Sequence, residues 1–140
     1  MKQVFVDSFF WIASANPHDG SHRLAKTLLL SLGKVRLITT DEVLIEFLNA
    51  LSKNVDLRPP ASKMVREILN NPNITVVQQS RNSFMDGLSL YEARSDKTYS
   101  LVDCISMRHM RNSAITEILT HDHHFEQEGF VAQMRDAGNS

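Results

Sequence analysis

One cysteine, Cys104, stands in a chain of 140 residues. An intrachain disulfide is therefore excluded, and the usage fits a reducing compartment. Thiol catalysis has little support, because a lone cysteine is most economically a small core residue. Five glycines form no phosphate-cradling loop, and the chain has no low-complexity tract or internal repeat. No apolar run reaches the length needed to cross a bilayer, and no N-terminal apolar segment with a cleavage site precedes the first strand-like stretch. A cytosolic (cytoplasmic) protein with no membrane association is expected. Excess positive charge is also missing: 15 Lys and Arg stand against 16 Asp and Glu, for a net charge of −1. That balance argues against nucleic-acid binding by bulk electrostatics, which needs a basic face to displace counterions. A basic rim around an acidic pocket would still be masked in the total. Lys53, Arg58, Lys63, Arg66, Arg108 and Arg111 are available for one, although each taken singly reads as a solvated surface charge.

What is present is ordinary globular composition, 42% hydrophobic and 22% charged, in a length that fits one domain spanning residues 1–140. Strand and helix signals alternate. Val4, Phe5 and Val6 form a short β-branched and aromatic run that ends abruptly on Asp7 and Ser8, the pattern of a buried strand. Helices are expected over 8–15, 22–32, 40–51, 61–70, 80–94 and 100–111, and strands over 35–39, 74–77, 117–120 and 130–133. Leu57-Arg58-Pro59-Pro60 reads as a break, Glu126 to Gly129 as a turn, and residues 135–140 as a fraying terminus. Thr39-Thr40-Asp41-Glu42 has the form of a capping box, and so does Ser100-Leu-Val-Asp103. Gly87 reads as a mild weakness in its helix. This alternation predicts an α/β fold: a three-layer α/β/α sandwich around a mainly parallel sheet of four to five strands.

In that architecture Asp7 and Asp122 follow apolar strands at the same rim, where open α/β sheets collect ligands. Glu46 and Asp103 lie on helices that can begin at that rim. Taken alone, Glu46 reads as an exposed helix glutamate and Asp103 as the closing residue of a capping box. Taken together, four carboxylates in one cleft would repel one another unless their pKa values rose or a cation joined them. All-oxygen ligands suit Mg²⁺ or Mn²⁺, and such a site suits phosphodiester hydrolysis. His121, His123 and His124 crowd Asp122. An extended segment would put His121 and His123 on one side, a zinc-like arrangement lacking a fixed third ligand, so surface or phosphate-contacting roles are preferred for them.

Val-Phe-Val-Asp7-Ser8, Thr-Thr-Asp-Glu-Val-Leu-Ile-Glu46-Phe-Leu-Asn-Ala-Leu, Ser-Leu-Val-Asp103-Cys-Ile-Ser and Leu-Thr-His-Asp122-His-His-Phe together resemble the PIN domain, a family of metal-dependent ribonucleases. The order and spacing of the four blocks are far more specific than any one of them. In length the chain is similar to the VapC-like toxins of toxin–antitoxin pairs. The resemblance implies that Asp7 and Asp103 are the principal metal ligands, that Glu46 binds or orients a metal water, and that Asp122 completes the site. Ser8 would support the pocket by hydrogen bonding, and Arg108, Arg111 and His121 are candidate RNA contacts. It further implies Mg²⁺ or Mn²⁺ as cofactor, RNA as substrate, a homodimer and a small antitoxin partner. The alternatives are a catalytically silent PIN-like module that binds RNA or a partner, and a housekeeping RNA-processing nuclease. A receiver- or flavodoxin-like domain is disfavoured because the third strand ends in Val77-Gln78-Gln79-Ser80 without an acid. Haloacid-dehalogenase chemistry is disfavoured because no second aspartate lies two residues after Asp7.

Overall fold

The computed structural model describes residues 1–134, so the expectation for 135–140 lies outside the described residues. The elements in chain order are β1 (Lys2–Val6), α1 (Ser8–Ala15), α2 (His22–Ser31), β2 (Val35–Thr40), α3 (Asp41–Ala50), α4 (Arg58–Asn70), β3 (Ile74–Val77), α5 (Arg81–Ala93), α6 (Leu101–Asn112), β4 (Glu117–Leu119), α7 (His123–Gln127) and β5 (Val131–Ala132). The five strands form one sheet in the order β3-β2-β1-β4-β5, and every pairing is parallel. Val4, Phe5 and Val6 are fully buried at its centre, as a strand covered on both faces requires.

The chain winds from β1 outward to β3, then returns past β1 to β4 and β5. Right-handed crossovers in these two directions put α1 to α4 on one face of the sheet and α5 to α7 on the other. β1 and β4 are the strands between which the winding reverses, so the crevice at their carboxyl ends is the topological switch point. Their register pairs Phe5 with Ile118 and Val6 with Leu119. The next residues out, Asp7 and Thr120, therefore meet at the rim.

Four local expectations are corrected. The cap of α3 is Thr40, whose side chain accepts from the Val43 N–H. Thr39 stays in the strand, where its buried hydroxyl donates to the Val6 carbonyl at 2.9 Å and accepts from the Trp11 indole N–H at 3.3 Å. The Pro59-Pro60 pair does not break the chain. It sits in the first turn of α4, where the missing N–H groups have no intrahelical partner to lose. The segment after Asp122 is a short helix, α7, because the Asp122 side chain caps the His124 N–H at 2.9 Å and Phe125 is fully buried. Gly87 is a packing requirement: a Cβ there would lie 2.4 Å from Ile105 Cγ1. Its absence lets α5 and α6 approach closely.

Candidate active site

The switch point carries a cleft of about 370 Å³ whose walls include Asp7, Ser8, Phe9, Glu46, Asp103, Asp122 and His124. β1 delivers Asp7 as the residue preceding α1, and β4 delivers Asp122 two residues beyond Thr120. α3 contributes Glu46 from its middle, and α6 contributes Asp103 from its first turn. All four predicted carboxylates thus line one cleft, and oxygen atoms from Asp7, Asp103 and Asp122 all lie within 4.8 Å of one another.

Each acid is held differently. Asp7 is 5% exposed. Its Oδ2 accepts from the Thr120 hydroxyl at 2.9 Å, while Oδ1 is buried with no hydrogen-bond partner among the described residues. Burial and the nearby Asp103 push its carboxyl up from 3.8 to about 7, against the opposing pull of the Thr120 bond. Asp103 closes a capping box: its N–H donates to Ser100 Oγ at 3.0 Å, and its Oδ2 accepts from the Ser100 N–H at 3.2 Å. The bland reading and the functional one therefore hold for the same residue, because the box fixes the carboxylate on the cleft wall. Desolvation also raises the Asp103 carboxyl, with Asp122 adding repulsion. Glu46 accepts from the Ser8 hydroxyl at 2.5 Å. Its carboxyl too is raised, first by burial and further by Asp103 and Asp122.

Of three further contacting residues, Thr120 and Thr98 had no assigned place in the sequence reading, and His124, expected at the surface or on phosphate, instead contacts two of the acids. Thr120 Oγ1 donates to Asp7 and also accepts the Asp122 N–H at 3.1 Å, so one hydroxyl ties two acids together. His124 places Nδ1 3.2 Å from Asp103 Oδ2 and 3.1 Å from Asp122 Oδ1. Its Nε2 meets the third residue, Thr98, at Oγ1, 3.0 Å away. The signal for Thr120 lies in the parallel register of β1 and β4, which single residues do not carry. The signal for His124 is its position two residues after the acid, which becomes meaningful once α7 is helical. The helix begins at His123, so His121 and His123 do not share one extended segment as expected. The His121 ring instead lies 5.5 Å from the Phe9 ring at the cleft wall.

Arg108 and Arg111 are not brought to the cleft. They lie one and a half to two turns beyond Asp103 on α6. Arg108 Nε pairs with Asp86 at 2.9 Å, while Arg111 donates to the Glu128 carbonyl at 2.6 Å and covers the Phe130 ring.

The donor set suits a small divalent cation. A buried acceptor oxygen, Asp7 Oδ1, has no partner among the described residues, and the surrounding ligands are carboxylates. At 4.8 Å separation two ionised carboxylates repel by about 3 kcal/mol for an effective dielectric of ~20. A cation held by Asp7, Asp103 and Asp122 would convert this repulsion into attraction and satisfy Asp7 Oδ1.

The fold and site define a class: a parallel α/β protein with an acidic cleft at its switch point. Within that class the chain belongs to the PIN domain family, whose model matches residues 4–130. It is 28% identical over 128 residues to the 23S rRNA-specific endonuclease VapC20 of Mycobacterium tuberculosis, covering 91% of this chain and 95% of that protein. The crystal structure of M. tuberculosis VapC20, described as a Sarcin-Ricin loop cleaving toxin, superposes with a TM-score of 0.82 at 26% identity over 91% of this chain and 96% of that one. A chain of the Rickettsia felis VapBC2 structure, solved with a promoter DNA fragment, matches with a TM-score of 0.65 at 14% identity over 93% and 96% of the two chains. A chain of the FitAcB structure from Neisseria gonorrhoeae matches at 0.60 and 11% identity over 92% and 94%. The last two likenesses concern the fold alone.

Proposed function

We propose that this PIN domain is a divalent-metal-dependent ribonuclease that hydrolyses RNA phosphodiester bonds and acts as the toxin of a toxin–antitoxin pair. The observation that carries this reading is the buried Asp7 carboxylate, with Oδ1 unpartnered and oxygens of Asp103 and Asp122 within 4.8 Å. An acid held in that state needs a proton or a cation, and its neighbours supply the remaining ligands for a cation. Asp7 and Asp103 would be the principal ligands for Mg²⁺ or Mn²⁺, and Asp122 would complete the set. Glu46, oriented by Ser8, accepts a proton from water at the cleft. A bound ion would supply Lewis acidity toward the phosphoryl oxygens and make water at the cleft more acidic. Thr120 and the Ser100 cap hold the carboxylates in place, so little reorganisation accompanies RNA binding.

Likeness to VapC20 supports RNA as substrate and makes 23S rRNA the first one to test. A small antitoxin protein is the proposed partner, a homodimer the proposed assembly and the cytoplasm the proposed location. Among the described residues no helix is long and apolar enough to cross a membrane. His121 beside Phe9 is the proposed RNA contact at the cleft wall. The test is cleavage of purified ribosomal RNA by wild type, Asp7→Asn and Asp103→Asn, each checked for native circular dichroism. Loss of a metal ligand is expected to lower the rate more than about 100-fold, beyond the usual cost of removing a residue that only supports a ligand. Wild-type rates in either folded variant would overturn the assignment.

A further inference from the structure

Asp122 belongs to two donor sets. One is the all-oxygen group with Asp7 and Asp103; the other consists of Asp122, His123 and His124, whose ligating atoms also lie within 4.8 Å of one another. We propose that this second set is a binding site for a zinc-like divalent ion, and that its occupancy withdraws Asp122 from the acidic cleft and suppresses the activity proposed above.

The argument starts from spacing. Tetrahedral zinc with bonds of about 2.0–2.2 Å separates its ligand atoms by roughly 3.3–3.5 Å. His124 Nδ1 lies 3.1 Å from Asp122 Oδ1, and His123 Nδ1 lies 3.9 Å from the same oxygen. These separations bracket the required value, and the two imidazole donors lie within 4.8 Å of each other. Two donors are already oriented. The backbone N–H of His124 holds Asp122 Oδ1 at 2.9 Å. The His124 ring is held by Thr98 Oγ1, 3.0 Å from Nε2, and by the edge-on Tyr99 ring at 5.3 Å.

A ligating histidine usually donates its other ring N–H to a neighbouring acceptor, which fixes the tautomer and the ring plane. Thr98 Oγ1 stands where that acceptor belongs, so zinc binding places the ring proton on Nε2 and replaces the contacts that Nδ1 makes with Asp103 Oδ2 and Asp122 Oδ1. The third donor, His123, is an exposed residue whose ring centroid is 4.6 Å from that of His124. It closes the site from the solvent side, and water takes the fourth position.

Selectivity follows from donor type. Two imidazoles and one carboxylate favour zinc and other late transition ions, whereas the carboxylates of the cleft favour Mg²⁺ and Mn²⁺. The two sets meet at one side chain. A zinc ion on His124 Nδ1 takes the place of its contact with Asp103 Oδ2 and also engages Asp122, so two ligands of the oxygen set are disturbed by one zinc ion.

The zinc-binding half of the proposal is independent of the ribonuclease reading, while the antagonism rests on it. Isothermal titration of the whole chain with Zn²⁺, and with Mn²⁺ in the presence and absence of Zn²⁺, separates the two. Wild type is expected to bind one Zn²⁺ per chain at this site, and His123→Gln to bind it at least about tenfold more weakly, the lower end of the cost of losing one partner in a metal site. Zn²⁺ is expected to weaken Mn²⁺ binding in wild type and to do so less in the variant. Zn²⁺ inhibition of Mn²⁺-supported RNA cleavage, scored against each protein's own zinc-free rate, should follow the same order. Equal zinc affinity in wild type and His123→Gln, or no zinc binding in wild type, would overturn the site. Zinc binding that leaves Mn²⁺ affinity unchanged would overturn the antagonism. Absence of cleavage under every metal would instead count against the ribonuclease reading, with the zinc titration still deciding the site.

Discussion

At the scale of single residues the molecule turns on Asp7. Its folded carboxyl sits at about 7 against an ordinary 3.8, chiefly through burial and then through Asp103. Between those values the folded chain keeps a proton that the unfolded chain has released. The Asp7 contribution to metal-free stability therefore falls as pH rises from about 4 to about 7 and is lowest above it. Asp7→Asn removes this contribution. In chelator, its melting temperature at pH 8 should exceed that of wild type, and the difference should shrink toward pH 4. Each 1 kcal/mol relieved raises Tm by about 3–5 °C in a chain of this size. Melting curves across that pH range check this, and a wild type as stable as the variant at pH 8 would contradict it. The position of Asp7 was legible because an apolar strand ending on an acid is a local pattern. The partner hydroxyl of Thr120 was not, because it reaches Asp7 only through the register of two strands 113 residues apart.

At the scale of elements, helix starts do much of the positioning. The Ser100 box both begins α6 and fixes Asp103, so Ser100→Ala should cost about 1 kcal/mol of stability, the usual cost of a lost cap. It should also weaken Mn²⁺ affinity by about tenfold, since supporting bonds to ligands carry that magnitude. Urea denaturation and calorimetry measure the two effects, and a stability loss with unchanged affinity would show that the box serves the helix alone.

The α5–α6 contact offers a second check. Gly87→Ala improves helix propensity by about 1 kcal/mol but drives a methyl to 2.4 Å from Ile105 Cγ1, an overpacking of the kind that costs about 1–3 kcal/mol. A net loss of stability in urea is expected, and a gain would mean that α5 shifts freely. Propensity alone made Gly87 look like a weakness, because the close approach of α6 is a tertiary fact. The same limit applies to α7. The stretch around Asp122 reads as an extended segment until burial of Phe125 and the Asp122 cap start a helix at His123.

At the scale of the whole molecule, strand order gathers the acids. Alternating strand and helix signals were enough to read a parallel sandwich from the sequence, and four spaced acidic blocks were enough to read a shared rim. The sequence pattern did not place Arg108 and Arg111, because which side of α6 faces the cleft depends on how it packs against α5 and Glu128. With the order β3-β2-β1-β4-β5, Asp7 and Asp122 fall at the point where the winding reverses, and Glu46 and Asp103 close in from helices on opposite faces. A chain of net charge −1 can engage RNA at such a place only if a cation offsets the concentrated acids. The most direct measurement is cleavage of 23S rRNA by the wild-type protein after exhaustive chelation, followed by metal add-back. Cleavage is expected to vanish in chelator and to return on addition of Mg²⁺ or Mn²⁺. Undiminished cleavage in chelator would contradict the metal-bridged acidic cleft.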